Sequence, residues 1–491
     1  MKASPVTTRR ILSLSLVWVI CASLVLVPSP SAGGPLQTAV YLYPNEFAGA
    51  DDLLAFERVR ASGATTVRLW LKWSEVAPPV KPSGFKADDP SEPSYRWEGP
   101  DRQIRLATQN GLQPLVTVYE APRWAEGKGT GFPGTVRPDP DQFHRFSLAA
   151  ARRYSGTYLG LPRVRYWQAW NEPNIHLSLN PQIVNGRPFS PTWYRKMLNA
   201  FAVAIHSIHS SNVVIAGGLA PFRDIGVKRF NWGPLGFMRN LLCLSKSLKP
   251  TCNTRVHFDI WAHHPYTSGG PTRHAVLPDD VSLGDLPEMR RVLMAAVRAG
   301  HVVPRKTPRF WVTEFSWDTS PPDPRGVPTK LHTRWVAEGL YRMWQHGVSL
   351  VTWLTLRDQP LTTSFFQSGL YYYAASLTAV RPKPALRAFR FPLVAFAESG
   401  RVRVWGRTPA GRSGAVVIEQ TFKGGWKRLG TLRTDRYGIF QSRFRSSTKG
   451  WIRATIATTR ERAIPFSLKR VPDRFFNPFG LTFLLEPKKK R

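Results

Sequence analysis

The chain has 491 residues, 42% of them hydrophobic and 12% aromatic, and carries a formal net charge of +36 at pH 7. That is enough apolar material for a large core divided into two or three domains. Once Cys21 is set aside in an N-terminal apolar run, the two remaining cysteines are too few for a structural zinc site, and beyond that run no stretch is long and apolar enough to cross a membrane.

Residues 1–32 read as an export signal. Lys2, Arg9 and Arg10 make a basic start, residues 11–27 an apolar run, and residues 28–32 a small-residue segment suited to cleavage. The Arg9–Arg10 pair partly matches a twin-arginine signal. The run is also at the short limit for a span, so the segment is either removed or kept as an anchor. In both cases a secreted or cell-envelope location is expected.

Residues 36–395 alternate between short apolar runs and helix-period segments. The runs are TAVYLYP (38–44), TTVRLWLKW (65–73), PLVTVYEA (114–121), VRYWQAWNE (164–172), NVVIAGGL (212–219), FDIWAHHPY (258–266), RFWVTEFSW (309–317) and VSLVTWLTL (348–356). Near-continuous apolar runs suit strands buried on both faces. Asp139-Pro140 and Ser190-Pro191 read as an N-cap followed by Pro at the first helical position. Gly63, Gly111, Gly300 and Gly347 stand where helices should stop. Eight βα units in a row predict an α/β fold, a (β/α)8 TIM barrel. Cys243 and Cys252 are close in sequence, and in an exported protein they favour a disulfide around a short loop.

Residues 396–470 change texture. Short alternating runs such as RVRVWGR, GAVVIEQTF and GWIRATI, separated by Gly-rich turns, predict a small all-β, sandwich-like domain. It either binds carbohydrate or only packs on the barrel. Residues 471–491 form a C-terminal tail without clear period. The basic residues are spread along the whole chain, which draws it to anionic polymers. For an exported protein an anionic cell-envelope polymer fits better than nucleic acid, and a monomer is expected.

In a TIM barrel the functional residues sit at the C-terminal ends of the strands. Strand four ends in Asn171-Glu172 and strand seven in Thr313-Glu314, so the two carboxylates face each other across the mouth. Such a pair is what glycoside hydrolysis needs: one acid protonates the leaving oxygen and the other attacks or stabilises the reacting carbon. His264 and Tyr266 end strand six with one strand parity. Arg68 and Trp73 lie on strand two and Trp353 on strand eight. Trp73 and Trp124 are candidate platforms for a sugar ring. Glu120, after strand three, either contacts substrate or pairs with Arg123. The His263–His264 pair has no third ligand at metal-binding spacing, so neither metal nor cofactor is implied.

With WNEPN at the end of strand four and WVTEFSW on strand seven, residues 36–393 resemble the clan A glycoside hydrolases, which are retaining TIM-barrel enzymes. The nearest families are the cellulase family (family five) and the xylosidase and iduronidase family (family thirty-nine). Members of the cellulase family often carry a His after strand three, where this chain has Tyr119 and Glu120. The resemblance implies Glu172 as general acid/base and Glu314 as nucleophile on a β-linked oligo- or polysaccharide. It implies Asn171 on the sugar 2-hydroxyl, Tyr266 on the nucleophile, and His264 lining the same subsite. Arg68 would hold Glu314 ionised and Trp353 would floor the sugar. The alternative is a catalytically weak envelope protein that binds sugar or anionic polymer on a barrel scaffold.

Overall fold

In a computed structural model of the protein, residues 34–43, 46, 51–223, 230–362, 364 and 366–476 are described, together with Met1. The export segment and most of the tail lie outside the described residues. Among the described residues no helix is long and apolar enough to cross a membrane.

Eight parallel strands close into a barrel: β1 (Gln37–Tyr41), β2 (Thr66–Lys72), β3 (Gln113–Tyr119), β4 (Tyr166–Ala169), β5 (Val213–Leu219), β6 (Ile260–His263), β7 (Arg309–Phe315) and β8 (Val348–Trp353). Each falls within or beside one of the eight apolar runs. Neighbours in sequence pair in space, and β8 returns to β1 through Gln37↔Leu350 to Val40↔Trp353. The apolar content splits by strand parity. Ala39, Leu115, Ile215, Ile260, Ala262 and Trp311 fill the barrel interior. Residues of opposite parity, such as Val67, Trp167 and Trp261, face the surrounding helices.

Those helices are α1 (Asp52–Ala61), α2 (Glu98–Gln109), α3 (Pro140–Arg153), α4 (Ser190–Ile208), α5 (Pro234–Leu241), α6 (Leu286–Arg298), α7 (Thr329–Gln345) and α8 (Pro384–Arg390). Asp139 caps α3, accepting from the Asp141 and Gln142 amides. Ser190 is not the cap of α4: it is the first helical residue, and its hydroxyl goes to Gln182 Oε1 at 2.8 Å instead. Gly63 and Gly347 adopt the left-handed conformation (φ +82° and +84°) that ends a helix.

Cys243 and Cys252 are joined by a disulfide. In the chain-entropy model a loop this short contributes roughly 2–3 kcal/mol. The Cys243→Ser, Cys252→Ser double variant should therefore unfold at a clearly lower urea concentration, and an unchanged midpoint would refute a stabilising role.

The C-terminal part is all-β. One antiparallel sheet holds β9 (Leu393–Glu398), β10 (Arg401–Arg407) and β13 (Ile439–Arg445); another holds β11 (Ala415–Phe422), β12 (Gly425–Arg433), β14 (Trp451–Ile456) and β15 (Phe466–Ser467). Strand β9 crosses the division at residues 395 and 396. Trp405, fully buried, packs on Tyr341 and Trp344 of α7 with ring centroids 5.3 Å apart in each pair. Burying these aromatic surfaces fixes the β-domain against the barrel. Beyond it, Asp473 accepts from the Gly270 amide at 2.6 Å, and Phe476 donates to Ser268 O at 2.7 Å, tying the chain to the loop after β6.

Candidate active site

The turn after β4 is built to hold Glu172 in place. Trp170 and Glu172 both have positive φ, +68° and +42°, which costs a non-Gly residue energy and persists only where neighbours over-determine it. Here the Trp170 amide donates to Val118 O at 3.0 Å, and the Glu172 amide to Gly218 O at 3.0 Å. The Trp170 indole donates to Ser178 O at 2.8 Å. The Asn174 amide bridges Ala220 O and Trp232 O, both at 3.0 Å. Only glycines fit opposite this turn. A Cβ on Gly217 would lie 2.3 Å from Ala262 O, and one on Gly218 would lie 2.7 Å from Gln168 Nε2.

Glu172 and Glu314 meet at the mouth. One oxygen of each lies within 4.8 Å of the other and of a His264 ring nitrogen. Separations of roughly 6.5–9.5 Å leave room for an attacking water, whereas about 5–5.5 Å suits direct attack by the second carboxylate. This pair falls on the short side. Both side chains keep a little exposure, 17% for Glu172 and 14% for Glu314, so a ligand can reach them.

The surroundings of the two acids differ. Tyr266 donates to Glu314 Oε1 at 2.8 Å, and Arg68 Nη1 donates to Glu314 Oε2 at 2.9 Å. Burial alone would raise Glu314, but His264, Arg68 and Tyr266 together hold it below the usual carboxylate range. Glu172 meets His264 Nδ1, 2.9 Å from Oε1, and among the described residues no Lys or Arg forms a salt bridge with it. Burial pushes its carboxyl up, against the opposing pull of His264. Tyr266 is itself raised by burial and by Glu314, so it stays protonated and donates. Two carboxyls driven in opposite directions are the mark of an acid and a base with separate tasks.

Arg68 and His264 lie under the acids and do not line the cleft. Both side chains have no exposure. Arg68 also donates to Thr313 O at 3.0 Å, Thr117 Oγ1 at 3.1 Å and Asn171 Oδ1 at 2.8 Å. The last contact fixes the Asn171 amide: its oxygen faces Arg68, which leaves the NH2 group as the donor on the other side. His264 Nε2 is 3.1 Å from Thr313 Oγ1. Its neighbour His263 points the other way, to Val281 O at 2.9 Å. Of the residues expected to bind sugar, Asn171 and Tyr266 remain at the surface of the site.

The three tryptophans sit elsewhere than expected. Trp73 is fully buried outside the barrel, stacked on Phe146 of α3 at 5.5 Å. Strand parity explains this: Arg68, Trp70 and Lys72 share the inward face of β2, and Leu69, Leu71 and Trp73 the outward one. Trp73→Ala should cost about 3–5 kcal/mol of stability as a large core truncation and leave KM for any glycoside unchanged; a raised KM at unchanged stability would restore Trp73 to the cleft. Trp124 is held by Phe85 and Trp73, and its indole donates to Pro78 O at 2.9 Å. It lines a separate cavity of about 370 Å³ with Trp193 and Arg137. Trp353 is 1% exposed and faces outward from the barrel, packed on His332 of α7 and Phe389 of α8, with its indole on Ser368 O at 2.7 Å. No face is left to floor a sugar.

Glu120 does not pair with Arg123, and its side chain keeps 27% exposure. Lys72 holds it at 3.5 Å and Glu75 at 3.2 Å, while Arg123 takes Glu126 at 3.0 Å. Trp70, half-buried beside Arg68 and Tyr119, is the aromatic that the β2 parity could have found. A larger recess of about 480 Å³ lies along the loop that carries Glu172, lined by Phe132, His176, Asn180 and Phe230.

Among the described residues, Glu172, His264 and Glu314 are also the one close group of three side chains able to ligate a metal, a grouping that sequence spacing did not suggest. In this structure Arg68 supplies the positive charge to Glu314, and Tyr266 and Arg68 each occupy one of its oxygens. That donor set is organised as an acid–base pair.

No protein-family model matches the chain, and no curated protein matches it. Solved structures do share its fold. A family 39 glycoside hydrolase from the gut symbiont Bacteroides cellulosilyticus WH2 aligns with a TM-score of 0.54 at 16% identity, over 84% of this chain and 82% of its own. A monomeric β-xylosidase from Caulobacter crescentus CB15 aligns with a TM-score of 0.51 at 17% identity, over 79% and 84%. The GH39 enzyme from Xanthomonas axonopodis pv. citri aligns with a TM-score of 0.50 at 14% identity, over 84% and 92%. At these identities the likeness is one of fold.

Proposed function

We propose that the chain is a retaining glycoside hydrolase acting on a β-linked glycoside. The observation that carries this reading is the close Glu172–Glu314 pair, with one carboxyl raised and the other lowered. Glu172 gives its proton to the glycosidic oxygen as the Glu314 carboxylate attacks the anomeric carbon and the leaving group departs. Glu172, now a carboxylate, takes a proton from water; that water attacks the same carbon and frees Glu314. Tyr266 and Arg68 hold the nucleophile by its two oxygens, one each. The NH2 of Asn171 is available to the 2-hydroxyl, and the recess beside Phe132 and Phe230 lies along the loop that follows Glu172.

The two family 39 proteins among the similar structures, and the absence of a His after β3, favour the xylosidase and iduronidase family over the cellulase family. β-Xylosides and β-glucosides are therefore the first substrates to test. Residues 1–32 and the disulfide support export, since such bonds persist in oxidising compartments. The decisive experiment is a panel of aryl β-glycosides run with the wild type, Glu172→Gln and Glu314→Gln. Release by the wild type that both substitutions remove supports the proposal, and release that survives Glu314→Gln refutes it.

The pH dependence follows from the two shifts. Activity requires ionised Glu314, so kcat/KM falls as pH drops through a value below the usual carboxylate range. It also requires protonated Glu172, so it falls again as pH rises through a value above that range. The expected profile is a broad bell. A single limb, or an acid limb displaced above the ordinary glutamate range, would contradict the assignment of roles.

A further inference from the structure

The β-domain carries an excess of cations that its own acids do not balance. Residues 396–470 hold 17 Lys and Arg against 4 acids. All four acids are already engaged. Glu398 accepts from Arg403 and Arg443, Glu419 from Arg453, and Glu461 from Arg390 of α8. Asp435 accepts from the Tyr437 and Ile439 amides.

The excess is ordered on one face. Along β10 and β13, Arg401 stands directly opposite Arg445, and Arg403 opposite Arg443. All four share one side of the sheet, the side on which Trp405 packs against α7 further along. Neither Arg401 nor Arg445 has an acid within salt-bridge distance among the described residues, and both are exposed. Like charges directly opposite on a sheet are destabilising. Arg342 of α7 adds a cation at the border, 5.3 Å over the Phe396 ring. The result is a set of arginines at alternate strand positions, whose Cβ atoms stand roughly 6.6–6.8 Å apart along each strand and about 5 Å apart across strands, with one carboxylate, Glu398, shared by Arg403 and Arg443.

We propose that this face binds an acidic polysaccharide and holds it against the protein. Guanidinium forks take carboxylate groups bidentately, and a flexible polymer bearing an acid on many of its sugars can engage several forks at once. Bound acid groups would also relieve the Arg401–Arg445 repulsion. The two rows offer no exposed aromatic ring for stacking nucleobases and no apolar side to enter a lipid surface. The inference goes beyond glycoside cleavage, because binding here needs neither Glu172 nor Glu314.

The test measures binding of the full chain to polygalacturonate, with neutral xylan, duplex DNA and anionic phospholipid vesicles in parallel. The expected result is salt-sensitive binding to polygalacturonate in preference to the other three. Arg401→Gln with Arg445→Gln should weaken it at least tenfold without lowering the unfolding temperature. Lys246→Gln with Lys249→Gln removes the same charge from the exposed disulfide loop and should leave binding within twofold. The proposal is overturned if polygalacturonate is not bound, if both double variants weaken it equally, or if DNA or vesicles bind as tightly and depend on the same arginines. Glycoside turnover is not the readout, so failure here leaves the glycosidase reading intact.

Discussion

Replacing Glu314 with Gln should abolish release of every β-glycoside that the wild type turns over. The amide keeps the shape of the side chain and can still accept from Tyr266, but it cannot attack the anomeric carbon, so double displacement through this position is blocked. Glu172→Gln is expected to behave differently. It removes proton donation, an effect of roughly 10²–10⁴ on rate, and the loss should shrink for leaving groups acidic enough to depart without a proton. Steady-state rates on two aryl glycosides with good and poor leaving groups distinguish the two roles. Equal, leaving-group-independent losses in both variants would count against the assignment of Glu172 as acid.

Arg68→Met is expected to have the largest effect on stability. Arg68 has no exposure and serves four acceptors: Glu314, Thr313, Asn171 and Thr117. Removing one partner of a buried ion pair typically costs about 3–5 kcal/mol, because the other charge is left unpaired. The pH dependence has a definite sign. A carboxylate depressed in the folded state stabilises above its unfolded pKa, and that contribution is lost as pH falls through the folded value. Without Arg68 the Glu314 contribution is reduced, so the penalty should be full at neutral pH and smaller in acid, where Glu314 is protonated in both proteins. Urea unfolding of both proteins at neutral and acid pH measures this. A penalty that does not change with pH would mean that Arg68 acts by packing alone. The acid limb of activity should also move upward in any residual turnover.

The sequence made the barrel and its two acids readable for one physical reason. Strands buried on both faces appear as near-continuous apolar runs, and in an ordered series of eight the functional ends can be counted. That is how Glu172 and Glu314, 142 positions apart in sequence, could be set opposite each other. The aromatic positions were less accessible. The parity of β2 was available, since TTVRLWLKW alternates Thr66, Arg68, Trp70 and Lys72 with Val67, Leu69, Leu71 and Trp73, so an inward Arg68 makes Trp70 inward and Trp73 outward; a Trp at the end of the run nevertheless reads equally as a cleft platform and as core. Trp353 obeys the same rule: Leu350 faces the barrel interior, so Trp353 faces outward, onto His332 and Phe389 of the surrounding helices. The run VSLVTWLTL is near-continuously apolar and hides that parity. Glu120 was not legible: its partner Lys72 lies on the adjacent strand, and strand register decided that pairing.

The central claim is a double displacement through Glu314, and the stereochemistry of the first product tests it most directly. Proton NMR of the hydrolysis of an aryl β-glycoside, followed from mixing, should show the β-anomer of the released sugar first and the α-anomer only as mutarotation proceeds. Initial appearance of the α-anomer would mean a single displacement by water, and would contradict both the role of Glu314 and the reading of the short Glu172–Glu314 separation.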